Sequence, residues 1–162
     1  NPAGVKRQVL GVFSRDLCRP MAEVLGRLGS EHVMVVHAED GLDELSIASK
    51  SYVAELNTGQ ITEYVVDPAE FSLEHSSLGG LSVSSAEESL SLIMSAFSGD
   101  DTETAKKAAD IIAFNAGAAI YVSGVALSLA DGVEMAQDAI SSGAAKEKIK
   151  ELVEFTNLSS AG

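Results

Sequence analysis

Two β-branched apolar runs separated by an amphipathic stretch constrain this chain more than any other feature. Gln8–Phe13 (QVLGVF) and His32–Val36 (HVMVV) each have the length and composition of a strand. Between them Leu17, Met21, Val24, Leu25 and Leu28 recur at spacings of three and four. That spacing predicts a helix with Asp16 as its cap and Gly29 as its stop. A strand, a helix and a strand of these lengths make a β-α-β unit, whose strands run parallel through a right-handed crossover. Val33-Met34-Val35-Val36 is apolar at every position, a β-branched run that suits a buried strand.

The second run feeds the segment His37-Ala38-Glu39-Asp40-Gly41-Leu42-Asp43-Glu44-Leu45-Ser46. Gly41 suits a sharp exit from a strand, because glycine adopts positive φ without steric cost. Adjacent Asp43 and Glu44 then fall at a strand's carboxyl end, where open α/β sheets place their ligand crevices, and carboxylate oxygens are the hard ligands that Mg²⁺ prefers. From the residues alone, the pair fits either a metal site or a solvated acidic loop. Asp40 reads as a loop-orienting side chain bonded to backbone amides near Gly41. His37 reads as a hydrogen-bonded structural histidine rather than a base.

Further along, Tyr52–Leu56 and Ile61–Val66 flank Asn57-Thr58-Gly59 and predict a hairpin, and Glu70–Ser84, rich in Ser and Gly, predicts a surface loop. Helices follow to the end. Ser85 with Glu88 forms a capping-box pattern, and helices are expected over 102–123, from 127 or 128 to 141, and over 144–155, with Gly124 and Gly143 as breaks. Asn115, inside the 102–123 helix, reads as a buried amide satisfying nearby backbone groups. Glu87 and Glu88 lie in a first helical turn, where negative charge is favourable regardless of function.

Composition narrows the function classes. The 162 residues suit one domain, and 46% apolar residues with only 5% aromatics point to a core of Val, Ile, Leu and Ala, as where helices pack on a sheet. A formal charge of -13, with the basic residues scattered, argues against a nucleic-acid partner. The single Cys18 has no partner for an internal disulfide, which fits a reducing, cytoplasmic setting. Ile111–Ala130 carries no charge, but its Ala, Gly and Ser content and its acidic flanks predict a buried helix and not a membrane span. The opening Asn1-Pro2-Ala3-Gly4, which runs almost at once into a strand, is read as the start of the later part of something longer.

The residues also carry a resemblance. Asn1-Pro2-Ala3, Val9-Leu10-Gly11-Val12-Phe13, His37-x-x-Asp40-Gly41-Leu42-Asp43-Glu44-Leu45-Ser46, Ser85-Ala86-Glu87-Glu88, Asn115-Ala116 and Ala139-Ile140-x-Ser142-Gly143-Ala144-Ala145 occur in order. In them the chain resembles the C-terminal part of the anthranilate phosphoribosyltransferases. The resemblance implies an α/β fold with a mostly parallel sheet and a helical C-terminal half, residues 1–162 being the C-terminal portion of the large α/β catalytic domain of a nucleoside phosphorylase/phosphoribosyltransferase type. It implies Mg²⁺-dependent transfer of phosphoribosyl from phosphoribosyl pyrophosphate to the anthranilate amine, with release of pyrophosphate, in tryptophan biosynthesis. Asp43 would bind one magnesium ion and Glu44 both ions of a pair. No catalytic residue is assigned within the chain. The diphosphate cradle, the substrate-binding residues and the helical domain are expected upstream of Asn1, so that this segment alone is inactive and the full-length form is a homodimer. A pyrimidine nucleoside phosphorylase-like enzyme and a noncatalytic ligand- or nucleic-acid-binding relative are the alternatives.

Overall fold

The computed structural model describes residues 3–159. Strands β1 (Arg7–Gly11), β2 (His32–Ala38), β3 (Ser51–Asn57) and β4 (Gln60–Val66) form one sheet in the order β1-β2-β3-β4. Helix α1 (Cys18–Arg27) connects β1 to β2, which pair in parallel as the β-α-β reading requires. The other two pairings, β2 with β3 and β3 with β4, are antiparallel. Within this chain the sheet is therefore mixed, which corrects the expectation of a mostly parallel one. The cause is local. The segment after β2 returns directly into β3 without a crossover helix, and a direct return reverses strand direction. The β3–β4 turn places Thr58 at φ 49° and Gly59 at φ 84°, the doubly left-handed turn whose twist matches paired strands.

Helices cover both faces of the sheet. Val33 and Val35 of β2 point to one side and pack with Cys18 and Ala22 of α1 and with Ala54 and Leu56 of β3. Met34 and Val36 point to the other, into a cluster with Phe114, Ala118 and Val122 of α3 (Glu103–Ser123) and Val133 of α4 (Leu129–Ser141). The period-2 geometry of a strand explains why an unbroken apolar run serves two cores. The first helix departs from expectation in detail. Arg15–Leu17 form a 3-10 turn before it and Asp16 makes no cap; Leu17, Met21 and Leu25 of the expected face pack against the core, but the most buried residues of the helix are Cys18 and Ala22, and Val24 and Leu28 are exposed.

The later helices follow the sequence closely. Ser85, Thr102 and Ser128 each accept a backbone N–H with their side chains, capping α2 (Ala86–Ser98), α3 and α4. Helix α5 runs over Ala144–Ser159, beyond the expected Phe155. The uncharged stretch is divided between the end of α3 and the start of α4, and among the described residues no helix is long and apolar enough to cross a membrane. Helices α3 and α4 meet through glycines. A Cβ on Gly117 would come within 2.7 Å of the Val133 backbone, and one on Gly132 would overlap the Gly117 carbonyl oxygen. The expected 70–84 loop begins with a 3-10 turn over Pro68–Phe71 and sends Leu73 into the core, so it is partly internal.

Candidate metal site at the carboxyl ends of the strands

The segment joining β2 to β3 is built on a network of short polar side chains. Asp40 accepts from the Leu42 N–H at 3.2 Å and from the Ser46 hydroxyl at 2.6 Å. The Ser46 oxygen in turn accepts from the Ala48 N–H at 3.0 Å, and the Ser46 N–H donates to the Ser51 hydroxyl at 3.1 Å. Gly41 sits at φ 93°, and the Ala38 N–H donates to the Leu42 carbonyl at 2.9 Å, which closes the exit turn. Leu45, Ser46 and Ile47 are fully buried. The buried backbone groups of an irregular segment need partners, and here short side chains supply them. The expected orienting role of Asp40 is present in this network. His37 Nδ1 lies 2.9 Å from the Val12 carbonyl oxygen, joining the ends of β1 and β2, which is the structural role expected of it.

Asp43 and Glu44 stand side by side on this braced loop, both exposed. Neither carboxyl group has a hydrogen-bond or ion-pair partner among the described residues. Glu44 borders a cleft of about 330 Å³ whose walls are mostly apolar, with Leu42, Leu78, Leu81, Leu92 and Ile111 among them. Partial burial there, and next the neighbouring charge of Asp43, push the Glu44 carboxyl above its ordinary range. Two like charges held together without a cationic partner, at the mouth of a cleft, form an arrangement that a divalent cation would relieve. Among the described residues no group of three or more His, Cys, Asp or Glu side chains comes together. The two carboxylates offer only oxygen donors, the type that Mg²⁺ takes alongside water and phosphate oxygens, and none of the His or Cys ligands of a structural zinc.

Two supports were not foreseen. Gly11, at the end of β1, lies against the Asp43 carbonyl so closely that a Cβ there would overlap the oxygen. The signal was a glycine interrupting a β-branched strand, which marks close backbone approach. The Asn115 carboxamide accepts from the Leu45 N–H at 2.9 Å and donates to the Leu45 carbonyl at 2.9 Å and the Ile111 carbonyl at 3.1 Å. Its nature as a backbone-satisfying amide was legible. Its partner, 70 residues away, was not. A second polar cluster went unread: Glu55, with its side chain 11% exposed, lies 2.7 Å from His32 Nε2 and accepts from the Tyr64 hydroxyl at 2.6 Å and the Tyr121 hydroxyl at 2.8 Å. It lies in mid-strand, away from the carboxylate loop.

Residues 1–146 match the family model described as glycosyl transferase family, a/b domain. The chain belongs to this family. It is 69% identical over 158 residues to the anthranilate phosphoribosyltransferase of Teredinibacter turnerae, an alignment covering 98% of this chain and 46% of the relative. The chain thus spans about half the length of the curated relatives it matches. The crystal structure of anthranilate phosphoribosyltransferase from Thermus thermophilus superposes with a TM-score of 0.78 at 35% identity, over 90% of this chain and 41% of that one. The Saccharomyces cerevisiae enzyme in complex with PRPP and Mg superposes with a TM-score of 0.76 at 24% identity, over 91% of this chain and 42% of that one, a likeness of fold. Membership in this transferase family bears out the α/β assignment and the resemblance read from the motifs.

Proposed function

We propose that the full-length protein containing this chain is an anthranilate phosphoribosyltransferase, transferring phosphoribosyl from phosphoribosyl pyrophosphate to the anthranilate amine and releasing pyrophosphate. The observation that carries the reading is the 69% identity across nearly the whole chain to a relative of that name. The unpaired Asp43–Glu44 loop adds a physical reason. Breaking the bond at the anomeric carbon develops negative charge on the departing diphosphate, and bound Mg²⁺ would supply the neutralising charge. In this reading Asp43 holds one ion and Glu44 is shared between two, as the exposed position of both side chains on a braced loop permits.

What the chain's own residues contribute is placement. The loop is fixed by Asp40, Ser46 and the Gly11 contact, so the carboxylates need little reorganisation to accept a cation, and preorganised charge is the economical form of electrostatic catalysis. Residues 1–162 would be part of the large catalytic domain, with further strands added beyond β1, which lies at the edge of the sheet. The remainder of the protein would hold the phosphate cradle and the anthranilate site. A cytoplasmic location and a homodimer of the full-length protein complete the reading.

The test follows the fluorescence of anthranilate in the presence of phosphoribosyl pyrophosphate and Mg²⁺. The full-length protein consumes anthranilate in a Mg²⁺-dependent manner, and the 1–162 segment alone does not. Failure of the full-length protein to consume anthranilate sinks the proposal.

A further inference from the structure

The Asn115 carboxamide grips both sides of one loop residue. Its oxygen accepts from the Leu45 N–H and its nitrogen donates to the Leu45 carbonyl, each at 2.9 Å, so Leu45 is held as a neighbouring strand would hold it. Leu45 directly follows Glu44, and its side chain is fully buried. The same amide nitrogen donates to the Ile111 carbonyl at 3.1 Å, one turn back along α3, which fixes the orientation of the amide. On the other side of the acidic pair, the Asp43 backbone rests on Gly11. The two exposed carboxylates are therefore borne on a backbone pinned from the sheet at one residue and from α3 at another. Helix α3 also supplies Ala108, Ile111 and Ile112 to the wall of the cleft that Glu44 borders, so one rigid element sets both the cleft and the loop.

We propose that Asn115 is a positioning residue for the cation: its bonds to Leu45 hold the Asp43 and Glu44 carboxylates at the spacing that grips a divalent ion. The inference rests on the metal reading above. Without these bonds the buried Leu45 amide and carbonyl must find other partners, and the loop that carries the carboxylates shifts with them. Supporting groups one step removed from a metal typically change its affinity by about 10- to 100-fold when lost.

The experiment uses the full-length protein with Asn115→Leu, Asn115→Asp and Glu44→Gln. Free Mn²⁺ is titrated by its electron paramagnetic resonance signal, and the Mg²⁺ dependence of turnover is measured alongside. Asn115→Leu weakens Mn²⁺ binding by roughly 10-fold or more and raises the Mg²⁺ concentration for half-maximal turnover, with rate recovered at high Mg²⁺. Asn115→Asp retains the acceptor for the Leu45 N–H and lies between, which keeps the test available should the leucine variant fail to fold. A merely structural Asn115 would lower the melting temperature and leave both cation constants within twofold of the parent, and that overturns the inference. If Glu44→Gln also leaves the cation constants unchanged, the metal reading fails with it. If only the Asn115 variants do, the positioning role alone is lost.

Discussion

Gly11 and the Asp43 carbonyl are in such close apposition that no side chain fits between them. A strand-end glycine thereby sets the height of the acidic loop above the sheet. Replacement by alanine would put a Cβ into overlap with the Asp43 carbonyl oxygen, a backbone atom that cannot rotate away, so the loop must lift. Overpacking of this kind costs about 1–3 kcal/mol and sometimes more. Gly11→Ala in the full-length protein is expected both to lower the melting temperature by several degrees and to raise the Mg²⁺ concentration for half-maximal turnover, measured by thermal unfolding and by turnover against Mg²⁺. Unchanged cation dependence would show that loop height does not matter to the site.

The two acids of the pair are not equivalent. Glu44 borders the cleft and its carboxyl is pushed up by partial burial and then by Asp43. A carboxyl with a raised folded value favours the fold when protonated, and that contribution is lost as pH rises through the raised value. At neutral pH without metal the ionised Glu44 opposes the fold, so Glu44→Gln is expected to melt no lower than the parent while losing more turnover at limiting Mg²⁺ than Asp43→Asn. Protons compete with the cation for the same oxygens. Divalent affinity is accordingly expected to fall on acidification from a higher pH than an ordinary exposed carboxylate would give, with Mn²⁺ titrations across mildly acidic to neutral pH as the check. Equal, near-parental rates for both variants at limiting Mg²⁺ would remove the assignment.

What could be read in advance divides along the range of the interactions. The β-α-β unit, the Thr58-Gly59 hairpin and the cap at Ser85 are set by sequence patterns along a short stretch of chain, and each is present. The exit turn at Gly41 and the bracing by Asp40 are local as well. The contacts that fix the loop in space are not: Asn115 to Leu45 joins segments 70 residues apart, and Gly11 meets Asp43 across the sheet end. The α1 face is shifted in part for a related reason, with Leu17, Met21 and Leu25 packed as expected but Val24 and Leu28 exposed. Val24 and Leu28 fit the helical period, but Cys18 and Ala22 are small enough to bring the helix close to β2, and that closeness selects the buried stripe. The direction of β3 depended on the absence of a crossover helix, and a compact acidic loop does not announce whether the chain turns back.

The crossing of α3 and α4 depends on two glycines facing one another. A Cβ at Gly117 would meet the Val133 Cα and N at 2.7 Å, atoms that move only with the α4 backbone. Helix propensity alone would favour alanine over glycine by about 1 kcal/mol, so the sign of the effect separates packing from propensity. Gly117→Ala is expected to destabilise, lowering the melting temperature of the full-length protein by several degrees. Since α3 also carries Asn115, weakened cation binding should accompany the change. An unchanged or higher melting temperature would mean that α4 yields readily.

The Glu55 cluster provides the last prediction, independent of the metal. The Tyr64 hydroxyl donates to Glu55 Oε2, while Tyr121 donates to Oε1, which also lies 2.7 Å from His32 Nε2. Loss of the Tyr64 hydroxyl leaves a nearly buried carboxylate oxygen without a donor, at a cost of about 1–3 kcal/mol. Loss of the Tyr121 hydroxyl leaves Oε1 with His32 beside it. Tyr64→Phe is thus expected to lower the melting temperature more than Tyr121→Phe. Burial first, then the bond to Glu55, pushes the Tyr64 phenol well above its ordinary range, and the same causes push Tyr121 up to about 12. A raised phenol value means stability that is complete below the unfolded value of 10.0 and is lost as pH rises toward the folded one. The parent should therefore lose stability with increasing pH above about 10, and Tyr64→Phe, with one raised phenol fewer, should show a shallower alkaline loss. Melting temperatures across that range decide the point, and parallel alkaline curves for parent and variant would dissociate Tyr64 from the effect.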